Sequence, residues 1–192
     1  MPMKKDRVLS FIVELLNTPE SNEGEFSLGN DSVKYLLNQI LRQLSVPIEN
    51  RYISQAAIIL WNEICDDDIE KYGYRSRVIP IRSSLGEAEF FAGNHKECYK
   101  SHRIQKHEGF VFKDVFHDEH IISLKVIVHE LLSLQRPCEE DAFAIIQKIS
   151  ICRMLKTEDR IIPSKSNRPF DVKAVFENIY PKSIIIKKYC DR

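Results

Sequence analysis

Apolar residues recur within residues 4–17 as Val8, Phe11, Ile12, Leu15 and Leu16, the three- and four-residue spacing of one helical face. A polar, Gly-containing connection, "TPESNEGEFSLGNDS", follows. A second helix starts at a cap near Asp31 or Ser32 and carries Val33, Leu36, Leu37, Ile40, Leu41 and Leu44. Pro47 ends it, since proline lacks the amide that would continue the ladder. Ser54 can cap a third helix, "QAAIILWNEIC", which stops at the acidic run Asp66-Asp67-Asp68. Residues 1–70 therefore read as a helical N-terminal part.

The pattern changes after Tyr72. "YRSRVIPIRSS" and "GFVFKDVF" are rich in β-branched and aromatic residues with Pro and Gly punctuation, and predict short strands near 76–82 and 109–116. Between them lies an irregular polar loop, "GNHKECYKSHRIQKHEG". Helical spacing returns at about 122–134 and, behind Pro137, at about 138–149. "SNRPFDVKAVFENIYP" reads as a last helix and "SIIIKKY" as a terminal strand. The expected class is α+β, with residues 71–192 forming a small mixed module of short strands and several helices.

Composition narrows the function classes. The 192 residues are 43% apolar and 29% charged, an ordinary globular balance. Lys plus Arg equals Asp plus Glu, 28 against 28, so no global field draws the chain to nucleic acid or to a membrane. The longest apolar runs, "AAIILW" and "SIIIKKY", are too short to span a bilayer, and no membrane partner is expected. The start "MPMKKDRVLSFIVELL" is interrupted by Asp6 and Glu14 and reads as an amphipathic helix, not a leader. Five scattered cysteines without a Cys-x-x-Cys pair suggest neither a zinc ribbon nor a disulfide framework, and imply a reduced, cytoplasmic protein. No Gly-rich phosphate loop and no Gly-x-Ser-x-Gly elbow is present, which leaves nucleotide-driven and acyl-transfer chemistry without support.

Candidate chemistry concentrates in "VFHDEHIISLKVIVHELL", Val115 to Leu132, where His117, Asp118, Glu119 and His120 precede an apolar run. Facing solvent, such a row caps a helix and complements its dipole. Placed between apolar segments, it needs partners. A strand ending in an acid and a His can build a metal-dependent phosphodiesterase site: the carboxylate holds a divalent ion and the imidazole takes a proton from water. A zinc site from His117, His120 and His129 is a lesser alternative, and His129-Glu130 reads as a half-exposed helix position.

"DEHIISL" resembles the first motif of the HNH-type, or His-Me finger, endonucleases, with Ser123 where that family usually has Pro. The resemblance implies a nuclease that hydrolyses nucleic-acid phosphodiesters, with His120 as general base, Glu119 as a metal ligand and Mg²⁺ as the ion. The family's second ligand on a following helix has no His or Asn counterpart here. Glu158 or Asp159 in "RMLKTEDRII" can supply a hard oxygen donor instead.

A third feature is basic and aromatic. Lys and Arg outnumber Asp and Glu in residues 71–107, whereas acids outnumber bases in residues 1–70. Arg75, Arg77, Arg82, Lys96, Lys100 and Arg103, interleaved with Tyr, suit phosphate contact and base stacking. The expected partner is nucleic acid, DNA ahead of RNA. The alternative is a non-enzymatic intracellular protein that binds another protein or nucleic acid, with "HDEH" as a structural turn.

Overall fold

In the computed structural model, residues 5–17, 30–44, 46–72, 79–82, 111–163 and 168–191 are described. The elements run α1 (Lys5–Asn17), α2 (Asn30–Gln43), β1 (Arg51–Ser54), α3 (Gln55–Ile64), α4 (Phe112–Val115) and β2 (Phe116–His120). They continue as α5 (Leu124–Leu132), α6 (Glu139–Ile146), β3 (Ile151–Leu155), α7 (Lys156–Ile161), α8 (Val172–Asn178) and β4 (Ile186–Lys188). The class is α+β, as the apolar pattern predicts. Among the described residues no helix is long and apolar enough to cross a membrane.

Contacts group the chain into two units, each assembled from separated stretches. The first takes Met1–Pro47, His120–Ser150 and Ser164–Val175; the second takes Ile48–Glu119, Ile151–Pro163 and Phe176–Arg192. Residues 1–70, read as one helical part, contribute α1 and α2 to the first unit and α3 to the second.

The first unit is helical. Of the stripe predicted for α1, Val8, Ile12 and Leu15 are buried and Leu16 is half-buried, while Phe11 stays 42% exposed. Val33, Leu37 and Leu41 do the same on α2 at four-residue spacing. On α5, Leu124, Ile127, Val128 and Leu131 turn inward. The Ser123 hydroxyl accepts the Lys125 amide at the entrance to this helix, where proline would offer no acceptor. α1 packs on α2 and α6, and α5 packs on the same two helices.

The second unit is built on a four-stranded mixed sheet in the order β2-β3-β1-β4. β1 and β3 are parallel, pairing Tyr52 with Cys152 and Ile53 with Arg153, whereas β4 runs antiparallel to β1. Ile53 enters a core shared with Ala57, Leu60, Trp61 and Ile64 from β1 and α3, and with Phe112, Val115 and Phe116. The Trp61 ring lies 5.6 Å from that of Phe116 and 5.4 Å from that of Tyr72, and its indole N–H donates to the Asp67 carbonyl.

Two strands escape the apolar pattern: β1, which lies in the expected helical part, and β3. The strand expected near 109–116 is shifted to β2, because Phe112 and Val115, three apart, are both buried by a single helical turn. Of the strand expected near 76–82, residues 76–78 lie outside the described residues, and Ile79 forms an isolated bridge. The last helix and terminal strand occur as α8 and β4.

Candidate metal centre

The row "HDEH" is a strand, and a strand sends alternate side chains to opposite faces. His117 and Glu119 therefore share one face of β2, and Asp118 shares the other with His120. Each face finds different company.

On the first face, His117 Nε2 lies 3.3 Å from Glu119 Oε2 and 3.9 Å from Asp159 Oδ2. The donor atoms of His117, Glu119 and Asp159 all fall within 4.8 Å of one another. Asp159 arrives from the first turn of α7, which begins directly at the end of β3. Glu119 is only 3% exposed, against 22% for Asp159 and 32% for His117, so the group opens outward past the latter two. One imidazole nitrogen and two carboxylates form a donor set for a borderline divalent ion. Bonds of about 2.1 Å would put neighbouring donors about 3.0 Å apart and opposite ones about 4.2 Å apart. The observed spacings fit a single ion after small side-chain rotations.

Cys152, on the adjoining strand and 0% exposed, registers this field. Burial pushes its thiol well above the usual range, and the charges of Glu158, Glu119 and Asp118 act in the same direction. A thiolate would be the wrong charge in that place, so the buried Cys152 thiol stays neutral.

On the second face, Arg153 donates to Asp118 through Nε at 2.8 Å and Nη2 at 3.0 Å, a two-point ion pair. Its Nη1 donates to the Ile69 carbonyl at 2.6 Å, and the guanidinium lies over the Phe112 ring, 4.8 Å from the centroid. Glu70 approaches both Arg153 at 3.5 Å and Arg51 at 2.5 Å. Asp118 is thus an internal counter-ion that fastens β2 to β3.

The structure brings together only some of the residues singled out in sequence. Glu119 and Asp159 are in the group. Glu158, the alternative donor, is engaged elsewhere: its Oε2 accepts the Ser54 hydroxyl at 2.5 Å and the Leu155 amide at 2.9 Å. His120 ends β2 on the Asp118 face, and its carbonyl accepts from Arg168 Nη1 at 2.8 Å. Arg82 closes the end of α3, donating to the Asn62 and Cys65 carbonyls and pairing with Asp66. Arg75, Arg77, Lys96, Lys100 and Arg103 lie outside the described residues. His117 enters the group as a donor beside carboxylates, a role the motif did not assign to it. The signal was present as His-x-Glu, the two-residue spacing that puts both side chains on one strand face. No family model, curated protein or solved structure matches the chain.

Proposed function

We propose that this protein is a divalent-metal-dependent phosphodiesterase acting on nucleic acid, DNA ahead of RNA. The observation that carries the proposal is the convergence of His117, Glu119 and Asp159 within 4.8 Å around a buried carboxylate. Held there, a divalent ion such as Mg²⁺ or Mn²⁺ supplies the polarisation of a phosphodiester oxygen and shields the charge that develops on the leaving oxygen. Glu119, fixed in the sheet, would anchor the ion, and Asp159 and His117 would complete its protein ligands from the open side. His120 is the general base by its likeness to the HNH motif. Arg75, Arg77, Lys96, Lys100 and Arg103 are proposed phosphate contacts, since a chain of zero net charge needs a local basic surface to hold a polyanion. The free thiols of Cys65, Cys138, Cys152 and Cys190 suit a reducing compartment, and the cytoplasm is the proposed setting.

Cleavage of supercoiled plasmid and of a labelled RNA, with Mg²⁺ or Mn²⁺ and with EDTA, tests this function alongside metal titration. Glu119→Gln and Asp159→Asn are expected to lose both metal binding and cleavage. His120→Ala is expected to keep metal binding but to lose on the order of 10²-fold in cleavage, the usual scale for a general base. Should the base be His117, which faces both carboxylates, His120→Ala would leave cleavage intact while His117→Ala removed it. No metal binding at millimolar concentration and no cleavage of either substrate would leave a non-enzymatic interaction protein.

A further inference from the structure

We propose that Glu158 is a positioning residue that sets the first turn of α7 so that Asp159 faces His117 and Glu119, an inference that rests on the metal-centre reading for the role of Asp159. Helix α7 has six residues and none of them is buried, so its apolar anchors are the flanking Leu155 and Ile162. Polar contacts hold its first turn as well. Glu158 Oε2 accepts the Leu155 amide at 2.9 Å, closing the turn back on the end of β3. The same oxygen accepts the Ser54 hydroxyl at 2.5 Å.

Ser54 is itself a fixed point. It is 0% exposed and ends β1, the parallel neighbour of β3. Its Oγ also accepts the Ala57 amide at 3.1 Å as the N-cap of α3. One buried hydroxyl therefore caps one helix and tethers the first turn of another. The tethered residue is the immediate neighbour of Asp159. A ligand set must be held to about half an ångström to be useful, and an exposed six-residue helix does not supply that precision alone. The contacts assign Glu158 to second-layer support, not to the ion itself. Such support characteristically changes metal affinity by about 10- to 100-fold.

The test uses the full chain, Mn²⁺ alone as probe, and two substitutions at the same position. Glu158→Ala removes the acceptor, while Glu158→Gln keeps a carbonyl oxygen that can accept both hydrogen bonds without the charge. Mn²⁺ binding is followed by electron paramagnetic resonance, and amide hydrogen exchange over Lys156–Ile161 is measured on the metal-free protein. The expected result is that Glu158→Ala weakens Mn²⁺ binding about tenfold and speeds exchange in α7, with Glu158→Gln restoring both. Equal loss of affinity in both variants would make Glu158 a direct ligand and overturn the proposal. Faster exchange with unchanged affinity would make the tether structural only, and no change in either measurement would remove it; both overturn the proposal. If the unaltered protein binds no Mn²⁺, the metal reading falls by itself. Exchange then decides: acceleration in Glu158→Ala with recovery in Glu158→Gln supports the tether, and its absence overturns it.

Discussion

Asp118→Ala offers a direct measure of what fastens the candidate centre to its sheet. The substitution deletes both carboxylate acceptors of Arg153, at 2.8 and 3.0 Å, and leaves a guanidinium that is 7% exposed without its closest counter-ion. Two hydrogen bonds to charged groups, at about 1.5–3 kcal/mol each, bound the effect from above at roughly 3–6 kcal/mol. Removing one partner of a buried pair characteristically costs about 3–5 kcal/mol. Arg153 keeps the Ile69 carbonyl at 2.6 Å and Glu70 at 3.5 Å, and Asp118 is 22% exposed, so the lower end of that range, about 3 kcal/mol, is expected. Urea unfolding followed through Trp61 fluorescence should show a lower midpoint at unchanged slope. Burial works against the Arg153 charge, but the hydrogen bond and charge of Asp118, with Glu70, raise its pKa above the ordinary value. A raised basic pKa contributes stability below the unfolded-state value and loses it only as pH rises through the folded one. The arginine side of this linkage therefore lies far above neutral pH and adds no pH dependence to the penalty near neutrality. Pairing Arg153→Met with Asp118→Leu should recover most of the loss, because an apolar pair avoids desolvating two charges. A cost below about 1 kcal/mol for Asp118→Ala would refute the claim that this pair fastens β2 to β3.

Two further outcomes follow from burial. Trp61→Ala empties the centre of the aromatic cluster around Phe112, Phe116 and Tyr72, and should cost about 3–5 kcal/mol in urea unfolding monitored by circular dichroism; a cost under about 1 kcal/mol would mean that the cluster is not a packed core. Thiol labelling at pH 8, read by peptide mass spectrometry, should modify the exposed Cys138 and Cys190 well before the buried Cys65 and Cys152. For Cys152 burial also keeps the thiolate scarce, so early labelling there would contradict its placement beside Glu119 and Glu158.

Legibility in the sequence followed the range of the interactions. The stripes of α1, α2 and α5 are local periodicities and could be read residue by residue. β1 could not: "RYIS" is four residues long and runs straight into the helical spacing of "QAAIILW". β3 was hidden by Arg153, which looks like a surface position until its partner Asp118, 35 residues away, is known. The same limit applied to the candidate centre. Glu119 stood out in an ionisable row before an apolar run, and Asp159 in a mixed-charge cluster after one. Choosing between Asp159 and Glu158 required the first turn of α7, where Glu158 accepts from Ser54, 104 residues distant, and Asp159 lies beside His117 of β2. His117 required only strand alternation, and was obscured because the four ionisable residues read equally well as a helix cap.

Burial separates those two interpretations of "HDEH". A capping carboxylate at a helix start is solvated, yet Glu119 is 3% exposed and begins no helix. A buried carboxylate close to a second one, as Glu119 is to Asp159, favours positive charge nearby. A divalent ion at the proposed centre would supply that charge, with His117 as one of its ligands. Asp118 makes no such demand, since Arg153 meets it on the opposite face. The alternation of one five-residue strand thus divides a row of four ionisable residues into a face paired with Arg153 and a face that gathers the candidate metal ligands.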